Sequence, residues 1–335
     1  MSRFILILGL AFADLTAADY TVVVTDEDHR PLADAAIEAV FSRQNDPRVS
    51  SMRSFEGRSD QLGVFRFAAD KELCLIRLRA GKPGYFEADA DRRHGLGGFP
   101  SRQNHALTLP RAAEGTPLAF KDVLLTAEKG ELPAKTWVGF DFAIGEAVAP
   151  WGRGVSKDVS IWNEGGQVGW TESAETIERL RKDPFFASMD ESRFADIYGS
   201  FRGVTRIRFE HKGAGIVRTS AFWAYSGMKM PPLAPPDGYA PELELPYGTL
   251  PLAAESENHT GFFLRLRPTC DPAGRVTSAC YAKIHGRIES GYGWVAFRFY
   301  YNPNPDDRRL VYDRKHNLLK PPSGADLSRY QTQER

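Results

Sequence analysis

The chain has little cysteine and no pattern of it. Cys74, Cys270 and Cys280 are the only three. None forms a Cys-x-x-Cys pair or sits in a Cys/His cluster, which excludes the ligand spacing of a structural zinc site. Net charge is also missing. Lys plus Arg and Asp plus Glu number 43 each, so there is no strong basic field of the kind that holds nucleic acid. No apolar run approaches the roughly 20 residues of a membrane helix. No Gly-x-Ser-x-Gly elbow, His-Glu-x-x-His pair, phosphate-binding loop or dinucleotide fingerprint occurs. The histidines at 29, 94, 105, 211, 259, 285 and 316 show no metal-ligand spacing. The residues call for no cofactor and no metal, and a partner that is neither nucleic acid nor membrane interior. There is no internal repeat.

What the chain does have is aromatic side chains, with 21 Phe and 12 Tyr. Its 30 Gly and 22 Pro are scattered as turn punctuation. Both features suit β-structure. At the start, Arg3 precedes the apolar run Phe4 to Phe12, and small residues follow up to Ala18. That order is the order of a secretory signal peptide over 1–18, with cleavage after Ala18 or after Ala13. It places the mature protein in the periplasm or outside the cell. The aspartates and glutamate of Asp26-Glu27-Asp28, with Asp34, read as a solvated acidic turn rather than a calcium site.

Short strand-like runs separated by turns follow from Tyr20 to Pro110, the pattern of a sandwich. Val24-Thr-Asp, then Pro31-Leu32 and Ala35-Ala-Ile, then Ser59-Asp with Gly63 and Phe65, Gly84-Tyr85 and Leu107-Thr-Leu-Pro110 stand in this order. The set resembles the carboxypeptidase regulatory-like domain, a transthyretin-like seven-stranded sandwich, over residues 19–111. The family usually carries glycine in the first turn, where His29 and Arg30 stand, and Gly-Ala where Asp34-Ala35 stand. The resemblance implies a spacer or accessory module without catalysis. Val138-Gly-Phe-Asp-Phe, Val148-Ala-Pro-Trp-Gly-Arg-Gly and Asp158 resemble a region that follows such modules in secreted bacterial proteins, and that likeness implies no activity.

Residues 112–322 read as a larger antiparallel β domain, and 323–335 as a polar tail. Thr205, Ile207 and Phe209 alternate with Arg206, Arg208 and Glu210; further alternations fall at 262–267, 282–288 and 294–301. Trp137 and Trp162 lie in strand-like runs. Two short helices interrupt, one from Ser173 to Lys182 and one opened by a Ser188–Glu191 capping box. The proline-rich stretch 231–251 is too rich in proline for a central strand and reads as a wrap across a sheet.

Two function classes follow. In the first, the protein is a non-catalytic secreted or periplasmic β-protein that binds or scaffolds a glycan or an envelope or surface protein. Its candidate ligand face holds Arg265, Arg267, Lys283, His285 and Arg287, with Trp294 beside them, a cationic plate for an acidic glycan. Cys270 and Cys280 are expected to close this hairpin as a disulfide in an oxidising compartment, with Cys74 a buried free thiol. In the second class, Asp141, Glu146 and Asp158 supply the carboxylate pair of a carbohydrate-active enzyme.

Overall fold

A computed structural model describes residues 17–43, 52–71, 73–91, 104–219, 221, 223, 225–248, 260–321 and 323–331. The expected signal peptide lies outside the described residues up to position 16, as do His94 and His259. The chain is mainly β and divides into two compact units. The first runs to Ala112 and includes Tyr225–Met228; the second holds the rest.

Among the described residues, seven strands build the first unit: β1 (Ala17–Thr25), β2 (Ala36–Arg43), β3 (Arg53–Arg58), β4 (Val64–Asp70), β5 (Leu73–Gly81), β6 (Ala88–Asp91) and β7 (Asn104–Thr108). They form a sheet ordered β4-β1-β7 and a sheet ordered β3-β2-β5-β6. Alternation sends Val22, Val24, Ile37, Ala39, Phe41, Leu78 and Leu107 into one core, as a half-buried sheet requires. The turns follow from their residues. Ser59 Oγ donates to Leu32 O at 2.6 Å and accepts from Ala35 N at 2.9 Å. Gly63 has φ +72°, and a Cβ there would lie 2.4 Å from Val24 O. His29 and Asp34 also take positive φ, 63° and 61°; these are the turn positions where glycine was expected. In the acidic turn, Asp26 accepts from Asp28 N and Arg30 N at 2.9 Å each and faces Arg111. Residues Tyr225–Gly227 bond to the outer edge of β6, through Asp89 N to Tyr225 O at 2.8 Å and Gly227 N to Glu87 O at 3.0 Å. β1 starts at Ala17, and Ala18 is buried opposite Ala69, so the strand takes in the two residues just before the later of the two expected cleavage points.

The second unit has, among the described residues, eleven strands: β8 (Thr116–Thr126), β9 (Val138–Asp141), β10 (Glu146–Ala147), β11 (Val159–Trp170), β12 (Gly199–Arg208), β13 (Gly215–Thr219), β14 (Glu242–Tyr247), β15 (Gly261–Cys270), β16 (Val276–Gly291), β17 (Trp294–Asn302) and β18 (Tyr312–Asn317). Their sheets are five-stranded, β10-β9-β11-β12-β14, and six-stranded, β13-β15-β16-β17-β8-β18. The core between them includes Phe140, Phe142, Ile161, Ile207, Leu264, Phe297 and Phe299. A second core lies on the other face of the six-stranded sheet, where Met230, Ala234 and Leu310 cover Phe120, Phe263, Tyr281 and Tyr300. The cover is stitched by Leu310 N to Pro232 O at 2.8 Å and Ala234 N to Arg308 O at 2.9 Å. The expected wrap is therefore present up to about residue 240. Beyond it the proline-rich stretch becomes β14, an edge strand, where Pro246 removes no interior ladder bond. Part of the expected polar tail folds back as well: a short 3-10 turn, Leu327–Tyr330, buries Tyr330 over the Lys121 ammonium at 5.1 Å.

Three helices stand where two were expected, between β11 and β12: α1 (Ala174–Lys182), α2 (Pro184–Ala187) and α3 (Glu191–Tyr198). The Ser188 capping box does not form. Asp183 and Pro184 start a turn of their own, Ser188 ends it by donating to Phe185 O at 3.1 Å, and Asp190 caps α3 instead. Of these helices and the other described residues, no helix is long and apolar enough to cross a membrane.

One ion cluster ties the two sheets of this unit together. β15 bulges after Leu266, and Arg267 takes φ +50° there. Its Nε lies 2.7 Å from Asp158 Oδ1, and its NH2 lies 3.0 Å from Asp158 Oδ2 and 2.8 Å from Asp141 Oδ1. Both carboxylates are 2% exposed. Asp141 also accepts from the amides of Ala143, Val155 and Ser156, and Asp158 from that of Phe142. Seven hydrogen bonds thus satisfy four oxygens, the condition under which buried charge is tolerated. The bonds to Asp158 push the guanidinium pKa further up, so it stays charged.

The expected disulfide is not made; all three cysteines are free. Cys270 pairs with Val276 at the hairpin tip, whereas Cys280 lies opposite Leu266. That offset is about 13 Å along the strand, well past the roughly 7 Å limit between bridged Cα atoms. Cys270 Sγ turns to Lys212 O and Cys280 Sγ to Pro303 O. Cys74 is half-buried rather than buried.

Two measurements follow. Unreduced protein, denatured and alkylated, takes up three alkyl groups by mass; an uptake of one would restore the bridge. Arg267→Met leaves two buried carboxylates without their cation and lowers unfolding stability in urea by about 3–5 kcal/mol. Arg287→Met, at an exposed position, shifts it by no more than about 0.5 kcal/mol. Equal midpoints for the two variants contradict a role for the cluster in joining the sheets.

Candidate functional site

The six residues expected to share a cationic face are parted by two physical effects. The outward face of β15, β16 and β17 is covered by the chain's own segments, and bulges reset the alternation. Lys283 is 2% exposed, its ammonium 5.0 Å from the Tyr300 ring centroid. His285 stacks beside the same ring at 4.5 Å. Burial, reinforced by Lys283, Lys229 and Arg298, pushes its pKa well down, so the imidazole is neutral. Arg265 Nε bonds to Gly213 O, NH1 to Pro236 O at 3.1 Å, and the guanidinium lies 4.6 Å over Tyr239. Arg267 points the other way, into the carboxylate cluster. Arg287 lies within the register break between His285 and Glu289 and pairs loosely with Glu289 at 3.4 Å. Trp294 is half-buried against Gly291 at the start of β17. No open cationic plate results from these six.

The carboxylates expected of an enzyme are likewise engaged. Asp141 and Asp158 belong to the Arg267 cluster. Glu146 is held by Arg153, whose bonds lower its pKa, with Lys121 at 3.9 Å. Lys121 donates to Gly145 O at 2.8 Å, and its burial pulls its own pKa down.

A different face combines aromatic and charged groups. Strands β9, β11, β12 and β14 turn Val138, Phe140, Ile161, Ile207, Leu243 and Leu245 toward the core. Period-two alternation puts the intervening side chains on the outer face. Register then lines them up in rows. Trp162 lies opposite Arg206, which lies opposite Glu244; Ser160 lies opposite Arg208, which lies opposite Glu242. Trp137, just before β9, sets its ring 5.5 Å from that of Trp162 at an angle of 48°. The Arg208 guanidinium stacks over Trp137 at 4.3 Å, a favourable cation–π distance. Both tryptophans are half-buried.

The three cations beside the indoles, Lys157, Arg206 and Arg208, each have a carboxylate. Arg206 bonds to Glu244 at 3.0 Å and to Glu164 at 2.9 Å. Glu210 takes Lys157 at 2.6 Å, Ser160 Oγ at 2.8 Å and Arg208 at 3.7 Å. The Lys157 and Ser160 bonds lower the Glu210 pKa and keep it ionised. Gly139 makes room for this arrangement: a Cβ there would lie 2.8 Å from Lys157 Cγ. The result is a shallow surface carrying two indoles, fixed N–H donors and fixed carboxylate acceptors. It suits a ligand with apolar faces and many hydroxyls better than it suits acid–base chemistry. The sequence shows Arg206, Arg208 and Glu210 alternating on one strand and both tryptophans in strand-like runs. The missing signal is the pairing of β9 with β11 and β11 with β12, which is long-range.

No family model matches the chain, and no curated protein matches it. Among solved structures it is similar to a DUF3823 family protein from Parabacteroides merdae, at 7% identity over 80% of this chain and 96% of that one, with a TM-score of 0.18. It is similar to a streptococcal ancillary pilin at 10% identity over 72% of this chain, with a TM-score of 0.19. A 3-chlorocatechol 1,2-dioxygenase from Rhodococcus opacus 1CP aligns at 12% identity over 29% of this chain, with a TM-score of 0.22. The matched part spans 61% of the pilin chain and 61% of the dioxygenase chain.

Proposed function

We propose that this chain is an exported, non-catalytic binding component of a cell envelope or surface, and that the outer face of the five-stranded sheet is its ligand platform. One observation carries the reading: Trp137, Trp162, Arg206 and Arg208 meet on a sheet face that no segment among the described residues covers with an apolar layer, in contrast to the six-stranded sheet. Large aromatics and arginines are the residues that anchor binding surfaces. The first unit serves as a spacer of the carboxypeptidase regulatory-like kind. In support, His29 and Asp34 hold the left-handed conformation at the turns where that family has glycine; His and Asp are among the few other residues that adopt it. The apolar run behind Arg3 supports export. The enzyme alternative is weaker because Asp141 and Asp158 are bound to Arg267 and to backbone amides.

Binding to isolated envelope tests the reading. Protein mixed with envelope fragments of its own source should co-sediment. Replacing both Trp137 and Trp162 by alanine should reduce the bound fraction at least about tenfold, the loss typical when interface tryptophans are truncated. The circular dichroism of the double variant should stay that of a folded β-protein. Undiminished binding by the folded variant refutes the platform.

A further inference from the structure

Taking the platform as the binding site, we infer that its ligand is a neutral polysaccharide and not a polyanion. The inference turns on charge balance. Among the described residues, the face holds four cations, Lys157, Arg202, Arg206 and Arg208, and four anions, Glu164, Glu210, Glu242 and Glu244. Lys157 and Arg208 are matched by Glu210, and Arg206 by Glu164 and Glu244. An acidic chain approaching Arg206 would have to displace two carboxylates and then lie beside them, and like charges brought together oppose binding. A neutral sugar meets no such opposition. Each hydroxyl both donates and accepts, so neighbouring hydroxyls of one ring bond to a guanidinium N–H and to its partner carboxylate together, leaving the ion pair intact. Bonds to charged groups are the strong class. The C–H face of a pyranose ring packs on an indole, an apolar body with a polar edge.

The geometry narrows the ligand further. The indoles lie 5.5 Å apart and are tilted by 48°. With the Arg208 guanidinium over Trp137 and the two indoles packed on each other, one sugar ring packs at the pair rather than one on each, so the platform fits a single chain in solution and not the flat face of a crystalline polymer. The register rows run across the strands, from Trp162 through Arg206 to Glu244. A chain lying along such a row meets aromatic, donor and acceptor in turn.

Affinity electrophoresis against soluble polysaccharides decides the matter. The neutral probes are laminarin, arabinoxylan and galactomannan; the acidic probes are polygalacturonate and alginate. At least one neutral probe should retard the protein, equally at about 0.15 M and about 1 M salt, although the Debye length falls from about 8 Å to about 3 Å. Trp162→Ala and Arg206→Gln should each weaken retardation at least about tenfold, with Trp162→Phe intermediate as a check that keeps a ring in place. Retardation by acidic probes alone, abolished by salt and by Trp162→Ala, overturns the neutral ligand and leaves the platform standing. Retardation by a neutral probe that Trp137→Ala, Trp162→Phe and Arg206→Gln all leave unchanged overturns the platform as well. No retardation by any probe, while envelope binding still depends on the tryptophans, overturns the polysaccharide.

Discussion

The second unit depends on neutralising two buried carboxylates. Asp141 and Asp158 lie beside a largely apolar core, and they are tolerated there because Arg267, itself part-exposed, meets them with both its charge and its geometry. A buried pair of this kind contributes little net stability against a hydrophobic replacement of the same size. What it contributes is register. The bulge after Leu266 turns Arg267 inward, and the two aspartates lie on the segments that lead out of β9 and into β11. A slip of one residue in any of these would strand a charge, so the cluster fixes how the two sheets are apposed.

With that apposition set, the two sheets have opposite fates on their remaining faces. The six-stranded sheet is apolar on both sides, with Phe120, Phe263 and Tyr300 on its second face, and the chain returns twice to cover them. The five-stranded sheet turns Arg206, Arg208 and Glu244 outward, and these need no cover. Its two tryptophans are the exception, being large and partly apolar on a polar face. The guanidinium of Arg208 shields one of them. The functional reading rests on this contrast between a face that the protein hides and a face that none of the described residues hides.

Much of this was legible in the residues. Alternation at 205–210, 262–267 and 294–301 locates strands because the side-chain period of two is local. The turn chemistry of Ser59 to Gly63 was legible for the same reason, as was the wrap in the first part of the proline-rich stretch, whereas the edge strand β14 in its second part was not. The cationic face was not. Alternation states that Lys283 and Arg265 share a side of their sheet, and they do; it is silent on Met230, Ala234 and Leu310, which come from distant sequence to bury that side. Arg267 failed differently, because a single left-handed residue reverses the facing of a side chain and nothing in Leu-Arg-Pro announces it. The disulfide failed on register: Cys270 and Cys280 flank a turn, but unequally. In each case the deciding term is a long-range contact or a bulge, to which local pattern is blind.

The strand-like residues Tyr225–Gly227 make the first unit discontinuous in sequence. Its polypeptide is complete only after more than a hundred further residues have been made, because the edge of β6 waits for them. Until then the first unit lacks the segment that bonds to the edge of β6, and a strand edge without its partner invites association with other chains. A gene fragment ending at residue 112 encodes most of the sandwich but not its closing seam. Shuffling of such a module between proteins would have to carry the seam along or replace it.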